Sequence, residues 1–442
     1  MPVSGADPKP ELPLPSGPST PASVQTLAFA RDPVGALLSA RAAYGPLFTL
    51  RFAGVGPVVA IADVDAAVRL MDADPQAARA GEARRRILPQ ASSRSSFGAD
   101  ADRHRAARGR IESAFAPARI ERLDGGLRRL AESHVDHWPM GRPFRMLPRM
   151  RTLTQDVFVR LMLGVRDEAR AAALVAAMRR LLWTPGNPPL TPPDRDEPGG
   201  PLVDAVFRRR LRPVAQLLDE EVRARRGNGT PGDTILDLMV ASQPRLSGEE
   251  AVDELLVVMA AAQEPPSIAL AWLVERLARH PEVAEAFVKA GPGDPVRQAI
   301  IDETLRLRPP AMASLRRLTA PFDANGVELP AGTMTMAPIP LLHRDPESFP
   351  DAEEFRPARF DGNLNRPEAF RPFGGGARRC IAEPLARAEM HAAIGVVFNR
   401  LRVRALWPRP ERPVQRATVL VPHRSVPVLT GARLPASPEP AR

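Results

Sequence analysis

Apolar residues recur with a helical period along most of this chain. From about residue 103 to 290 they return at positions i, i+3, i+4 and i+7, the spacing of helices that bury one face. The helices predicted in this way cover residues 105–115, 118–133, 151–163, 168–183, 204–226 and 248–280. The pattern predicts a mainly α-helical protein.

Strand-like alternation is confined to short stretches. Residues 47–62 carry two apolar, partly alternating runs around a glycine-rich turn, which predicts a β-hairpin, and a helix is predicted directly after it over 63–73. Beyond residue 309 short β-like runs return between turns, as in 325–339, and a last helix is predicted at about 383–400. The expected fold class is therefore mainly α with small β-sheets, in a single large domain.

Both ends and one internal stretch depart from this pattern. Residues 1–24 are rich in Pro, Ser and Gly and are expected to lack fixed structure, and 434–442 resemble them. The folded domain is expected to cover 25–433. Within it the Pro-rich stretch 184–201 predicts a long loop, and loops of that length in compact domains often cover binding sites.

Composition and charge narrow the classes of function. Hydrophobic residues make up 44% of the 442 residues and charged residues 25%, which argues against general disorder. The net charge of +10 comes almost entirely from arginine, since lysine occurs only at Lys9 and Lys289. These arginines are scattered and form no dense basic run, so we expect no nucleic-acid partner and favour an acidic protein partner.

A single cysteine excludes an intramolecular disulfide and any site built from several cysteines. The N-terminal residues lack the basic and apolar regions of a signal peptide, and no run of about 18 apolar residues suggests a membrane span. We expect a cytoplasmic protein without a membrane span.

The only cysteine lies in an unusual loop. The sequence FRPFGGGARRCIA over 370–382 places three glycines, Gly374 to Gly376, shortly before Cys380. Glycine permits positive φ and a close approach of the backbone to a flat ligand. The helix predicted after Cys380 would stabilise a thiolate at its N-terminus, the form in which cysteine binds a soft metal. For a lone cysteine the alternative is an inert buried thiol.

The spacing Phe373-x-x-Gly376-x-Arg378-x-Cys380 resembles the haem-ligand loop of the cytochromes P450. The resemblance implies the cytochrome P450 fold, haem b as the cofactor and Cys380 as the axial ligand of its iron. It also implies that Phe373, Gly374 and Arg378 bind the cofactor. The chain departs from the family pattern at Ala382, where glycine is usual.

Four further segments resemble family elements in the family's order. Glu303 and Arg306 match its E-x-x-R motif on a helix, and Arg359 matches the arginine that joins them in a structural cluster. Arg316, or its neighbour Arg317, matches an arginine that binds a haem propionate. His104 and Arg108, one helical turn apart, resemble the helix that contacts the propionates.

The central helix departs from the family. Where the family has A-G-x-[D/E]-T-[T/S], this chain has Ala261, Ala262, Gln263, Glu264, Pro265 and Pro266. We assign Ala261, Glu264 and Pro265 to the catalytic face, with the acid kept and the usual alcohol replaced by proline. An interior proline costs a helix about 3 kcal/mol, so we expect a kink or a split at 264–265, or a second helix that starts there.

The resemblance implies a bacterial haem-thiolate monooxygenase that uses O2 and electrons from a separate ferredoxin and ferredoxin reductase. We expect a monomer that oxidises a small, largely apolar substrate of secondary metabolism. Its pocket should draw on residues 85–100, 184–201, 261–266 and 310–315.

Because the usual alcohol is missing, the sequence leaves several mechanisms and functions open. Proton delivery could use Glu264, ordered water or a group of the substrate, or the reaction could be an oxidative coupling or ring closure. A haem-binding scaffold without turnover is a second hypothesis. A peroxide-driven enzyme is less favoured, because the Arg-then-Pro pair usual for that class is absent.

Overall fold

The computed structural model describes residues 13–73, 75–87, 95–182, 201–228, 232–242, 246–361 and 366–433. The predicted tail over 434–442 lies outside these residues, and of the predicted loop 184–201 only Pro201 lies within them, as the first residue of a helix.

Helices dominate the described chain, as the hydrophobic period predicts. They are α1 (Ala22–Arg31), α2 (Pro33–Tyr44), α3 (Val64–Asp72), α4 (Ala80–Ile87), α5 (Ala101–Ile111), α6 (Pro117–Glu121), α7 (Asp124–Asp136), α8 (Met146–Val157), α9 (Glu168–Leu182), α10 (Pro201–Asn228), α11 (Ile235–Ala241), α12 (Gly248–Arg279), α13 (Pro281–Lys289), α14 (Pro295–Leu307), α15 (Ile339–Leu342) and α16 (Glu383–Arg400). Single helical turns lie at Glu112–Phe115, Phe158–Met162, Pro357–Phe360 and Gly376–Arg378. The last helix has the predicted bounds, whereas the predicted helix 118–133 is divided into α6 and α7.

The strands are short and form small sheets. They are β1 (Leu47–Phe52), β2 (Gly56–Ile61), β3 (Ala78–Arg79), β4 (Phe144–Arg145), β5 (Ala313–Leu318), β6 (Phe322–Asp323), β7 (Glu328–Leu329), β8 (Met334–Pro338), β9 (Leu401–Ala405), β10 (Pro413–Arg416), β11 (Val419–Pro422) and β12 (Pro427–Arg433). The predicted hairpin is confirmed as the antiparallel pair β1–β2. It extends into a five-stranded sheet of order β1-β2-β8-β5-β3, beside a three-stranded sheet β4-β12-β9 and the hairpins β6–β7 and β10–β11.

The N-terminal segment is more ordered than its composition predicts. Residues 1–12 lie outside the described part, but residues 13–21 pack on strand β1. Thr49 donates its hydroxyl to the Pro15 carbonyl at 2.6 Å and its N–H to the Ser16 carbonyl at 3.0 Å. Helix α1 begins at Ala22. The expectation of no fixed structure is thus wrong from residue 13 to 24, because the strand edge supplies donors for the extended backbone.

Helix α12 is the centre of the largest core cluster. It packs on α8 and α16, and from Ile268 to Val274 every residue is buried. Among the described residues, α12 is also the one helix long and apolar enough to cross a membrane, but 72% of its most apolar window is buried within the protein. This burial is that of a core helix.

The expected split at 264–265 does not occur. Helix α12 runs without interruption from Gly248 to Arg279, with Pro265 and Pro266 inside it. Two hydroxyls reinforce the backbone there: Thr154 of α8 donates to the Gln263 carbonyl at 3.1 Å, and Ser267 donates to the Glu264 carbonyl at 2.7 Å. The dense packing on α8 and α16 keeps the helix continuous where its sequence disfavours it.

A buried ionic cluster joins α14 to the segment before the cysteine loop. The Arg306 guanidinium donates to both carboxylate oxygens of Glu303 at 2.7 and 2.9 Å, and both side chains are completely buried. Arg359 approaches Glu303 at 3.3 Å. Arg306 also donates to the carbonyls of His343, Ala352 and Glu354. Every donor of the buried cation is thereby directed at an acceptor, which such a pair requires.

His343 extends this cluster towards the cysteine loop. Its Nδ1 lies 3.0 Å from the Arg306 carbonyl and its Nε2 accepts the backbone N–H of Arg371 at 3.0 Å. The ring therefore bridges the end of α14 and the loop as a neutral imidazole. Burial is the main cause that lowers the pKa of His343 to about 3.

The first prediction concerns the prolines of α12. Pro266→Ala restores an N–H donor for the Ala262 carbonyl and removes a ring that clashes with it, so the free energy of unfolding should rise by up to about 3 kcal/mol. The measurement is urea denaturation. The control is Pro281→Ala at the first position of α13, where proline is well tolerated and no gain is expected. A Pro266→Ala protein less stable than the parent would contradict this account.

The second prediction concerns the neutral His343. Its folded-state pKa lies below its ordinary value of 6.5, so between pH 6.5 and 3 the unfolded chain binds a proton that the folded chain refuses. The free energy of unfolding should therefore fall with falling pH, by up to about 1.4 kcal/mol per pH unit from this residue. His343→Gln should be less stable at pH 7 but show a shallower acid slope in urea titrations. The exposed His423→Gln serves as the control and should keep the parental slope.

Candidate functional site

The cysteine loop is shaped by two glycines and held against α3. Gly374 and Gly376 have φ values of 72° and 58°, in the left-handed region that favours glycine. A side chain at Gly376 would lie 2.5 Å from the Met71 carbonyl oxygen, so only glycine lets the loop approach α3 this closely. The Cys380 N–H donates to the Phe373 carbonyl at 2.9 Å and closes the loop. Phe373, predicted at the cofactor, packs under the Arg387 guanidinium at 5.1 Å.

Cys380 is exposed, although protein atoms surround its thiol closely. It lies in a groove formed by the end of α5, Phe115, Pro117 and the start of α16. Burial raises the pKa of the Cys380 thiol, while the Ala382 N–H at the start of α16, Arg108 and Arg84 act in the opposite direction. The helix N-terminus therefore does not create a thiolate by itself, as its position had suggested. A bound metal cation would deprotonate the thiol directly.

Three arginines converge beside this loop from distant parts of the chain. Arg378 belongs to the loop, Arg316 to β5 and Arg84 to α4. Arg378 pairs with Asp100 at 2.7 Å. Within the described part of the chain, Arg84 and Arg316 instead hydrogen-bond to neutral carbonyls: Arg84 to Phe97 at 3.3 Å, and Arg316 to Leu315 and Met71 at 2.9 Å each.

Burial, together with the neighbouring positive charges, lowers the pKa values in this cluster. Burial, Arg378 and Arg316 lower the pKa of Arg84 to about 9. Burial and Arg378 likewise lower the pKa of Arg316 to about 10. His104 is buried next to them, and burial together with Arg378 and Arg108 lowers its pKa to about 4. A buried cluster of like charges fits an anionic ligand, and haem b brings two carboxylates. The residues present therefore fit haem.

The structure distinguishes Arg316 from its neighbour Arg317 by the groups that each lies beside. Arg316 and Arg317 point to opposite faces of β5, as successive strand residues must. Arg317 pairs with Glu82 of α4 at 2.8 Å. Arg316 is the one of the two that adds its charge to the cluster.

Arg108 has a different contact from the one expected. Its guanidinium donates to the Arg379 carbonyl at 2.8 Å and lies 3.5 Å from Glu112. In this arrangement it supports the backbone next to Cys380, and its contact with cofactor carboxylates stays a prediction.

Asp100 is a functional candidate that sequence reasoning missed. Besides Arg378, its carboxylate accepts the N–H groups of Gly81 and Glu82 at 2.7 and 2.8 Å. It thereby caps the first turn of α4, a helix some twenty residues earlier in the chain, and holds that helix beside the cysteine loop. Its position just before α5 suggests a cap of that helix instead, so no local signal reveals its role.

One face of α12 is left uncovered by the described chain. Ala261 is exposed, and Glu264 and Pro265, three and four residues on, are half-buried on the same face, whereas Ala262, Gln263 and Pro266 are buried. The Glu264 carboxylate forms a short ion pair with Arg151 of α8. The acid expected to deliver protons is thus present on the accessible face but held by an arginine.

The expected pocket segments are described only in part. Residues 88–94 and 183–200 lie outside the described part of the chain. Ser95–Asp100, residues 261–266 and residues 310–315 are described, and Pro310 and Ala311 contact β11 through Leu420 and Val419.

Comparison with known sequences supports one family. The cytochrome P450 family profile matches residues 15–290 and 294–427. The putative cytochrome P450 135B1 of Mycobacterium tuberculosis is 31% identical over 432 residues, which cover 93% of this chain and 90% of that protein. The putative cytochrome P450 137 of the same species is 30% identical over 399 residues, covering 86% and 82%.

Solved structures share the fold over nearly the whole chain. A retinoic acid-bound cyanobacterial CYP120A1 superposes with a TM-score of 0.80 at 21% identity, covering 96% of this chain and all of that one. The cytochrome P450DA haem domain gives a TM-score of 0.82 at 23% identity, with coverage of 96% and 98%. With the family profile matched over most of its length, this chain belongs to the cytochrome P450 family of haem-dependent monooxygenases.

Proposed function

We propose that this protein is a haem-thiolate monooxygenase in which Cys380 ligates the haem iron. The observation that carries the proposal is the juxtaposition of an exposed cysteine, in a loop shaped by Gly374 and Gly376, with Arg84, Arg316 and Arg378, of which Arg378 is the one paired with a carboxylate among the described residues. When bound, haem supplies the activation of O2 by single-electron steps, and a thiolate ligand favours O–O bond cleavage.

The chain's own groups would hold the cofactor by ligating its iron and by binding its two carboxylates. The Cys380 thiolate binds the iron, and the backbone bond from Cys380 to Phe373 fixes its direction. Arg316 and Arg378 would neutralise the two carboxylates, and His104, whose pKa is lowered to about 4, would donate a hydrogen bond as a neutral imidazole. Arg84, which sequence reasoning did not identify, adds a further cation on the same side.

Proton supply is assigned to Glu264. Pro265 has no hydroxyl to hold a proton, and Glu264 is the titratable group on the accessible face of α12. Arg151 holds its carboxylate, so Glu264 must leave this ion pair before it can pass a proton on. This requirement makes proton delivery slower than a relay through a free hydroxyl.

The substrate is proposed to be small and largely apolar, and a product of secondary metabolism. On the accessible face of α12, Val257, Ala261 and Pro265 lie beside the Arg151-bound Glu264 and present no hydrogen-bonding side chain to a ligand. Such a face binds hydrocarbon, and the shape of the pocket sets the orientation of the substrate.

Electrons are proposed to come from a separate ferredoxin and ferredoxin reductase in the cytoplasm, to a monomeric enzyme. The surface beside Cys380 carries the exposed Arg379, which pairs with Glu383, and Arg108, which pairs with Glu112, on a chain whose net charge is +10. An acidic electron carrier would be steered to it.

The third prediction tests the iron ligand. Cys380→Ser removes the thiolate, so the reduced, CO-bound protein should lose the red-shifted band that is characteristic of thiolate ligation. The measurement is the absorbance spectrum of the reduced CO complex, with Ser113→Ala in the same groove as the control that keeps the band. A parent protein that binds haem without this band would overturn the assignment.

The fourth prediction tests the role of Pro265 with a substrate found by its spin-state shift on the ferric protein. Because the site is built around Glu264, Pro265→Thr should not raise the product formed per electron consumed by more than about twofold. Glu264→Gln should lower it by about tenfold, since loss of an acid–base group slows the productive proton transfer by about 10²–10⁴. A large rise with threonine would show that the usual relay was merely lost. A haem-binding scaffold would consume no electrons in either protein.

A further inference from the structure

We call residues 95–100 the bridge segment. Arginine side chains donate to four successive backbone carbonyls of this segment. The carbonyl oxygens of Ser96, Phe97, Gly98 and Ala99 accept from Arg378, Arg84, Arg85 and Arg378 in turn. The Arg84 guanidinium also lies 4.2 Å from the centre of the Phe97 ring. One edge of the segment is thus fastened to the cysteine loop and to α4.

The opposite edge contacts α12 through Glu254. The Glu254 carboxylate accepts the backbone N–H of Ser96 at 2.6 Å on one oxygen and the Ser96 hydroxyl in a short bond on the other. Glu254 is only 5% exposed, so its carboxylate depends on these donors. Burial raises the pKa of Glu254, and the two bonds from Ser96 oppose that change.

The bridge segment therefore spans the two elements that flank the proposed haem site. Glu254 precedes Ala261 by seven residues, or about 10 Å along the helix. Arg378 precedes Cys380 by two residues. A segment that is anchored at both points forms a wall between α12 and the cysteine loop. Among the described residues, Arg84, Arg85 and Arg378 bond to the segment from one side, and Glu254 makes two bonds to it from α12.

We propose that Glu254 is a positioning residue that, through Ser96, keeps the bridge segment closed on α12 and so sets the rate at which small molecules reach the site. The inference rests on the proposed function, since the walled space is the proposed haem pocket. Loss of Glu254 frees the α12 edge and leaves the arginine edge in place. The segment then loosens more often while the rest of the chain stays folded.

The first experiment measures opening directly and does not require haem. The Ala99 N–H donates to the Ser95 carbonyl at 2.8 Å, so its hydrogen exchange reports on the segment. In the full chain, Glu254→Ala should speed this exchange by about tenfold, as expected when about 1.4 kcal/mol of local stability is lost. Glu285→Ala on the exposed face of α13 is the control and should leave the rate unchanged. An unchanged rate in Glu254→Ala would overturn the proposal.

The second experiment measures entry, with imidazole as the probe and the ferric, haem-loaded protein followed by stopped-flow absorbance. A gate changes the energy barrier to entry and exit but not the stability of the imidazole complex. Glu254→Ala should therefore raise the association and dissociation rates of imidazole together by about tenfold and leave its Kd within about twofold of the parental value. Ser96→Ala should have a smaller effect, and the double variant should match Glu254→Ala. Glu254→Gln, which keeps one acceptor oxygen, should restore part of the parental rate.

The outcomes separate gating from simple stabilisation. A lower Tm with unchanged imidazole rates, or independent effects of Glu254 and Ser96, would show a merely structural contact and overturn the proposal. A protein that fails to bind haem would instead refute the proposed function, and the exchange measurement would still decide the role of Glu254.

Discussion

The completely buried ion pair of Glu303 and Arg306 is the constraint on which the rest of the site depends. Burying two charges is costly unless every donor and acceptor is satisfied, and Arg306 meets this condition by bonding to three carbonyls in addition to Glu303. Those carbonyls belong to the segment 343–354, so the fold of that segment is fixed by the cation. His343 then carries the constraint to Arg371 and the cysteine loop.

On the side of the molecule where haem is proposed to bind, the charges are not fully compensated as they are at Glu303 and Arg306. Arg316 is buried and Arg84 half-buried near Arg378, with neutral carbonyls as their acceptors among the described residues, and burial together with the neighbouring positive charges lowers the pKa of each. Such a cluster destabilises the chain until an anion arrives, so the proposed binding of haem would contribute to folding stability as well as to chemistry. Asp100 limits the repulsion and holds α4 in place while leaving charge for the cofactor.

Helix α12 combines both demands. Its buried side packs on α8 and α16 tightly enough to keep the helix continuous through two prolines. Its accessible side presents Ala261, Glu264 and Pro265, with Glu264 held by Arg151. The face of α12 that stabilises the core is therefore different from the face assigned to catalysis. One proline lies on each, since Pro266 is buried and Pro265 lies on the accessible face. In the proposed scheme Glu254, two turns earlier, links that helix to the wall of the pocket.

The sequence alone determined the elements whose causes are local. The β1–β2 hairpin, the bounds of α16, the Cys380 loop and the E-x-x-R turn all follow from period, glycine placement and i, i+3 spacing. Only the tertiary structure decided that Asp100 caps α4, that Arg108 bonds to the Arg379 carbonyl and that α12 stays unbroken. These outcomes depend on which side chains meet across the fold and on the burial that packing provides, and neither is encoded in the spacing of neighbouring residues.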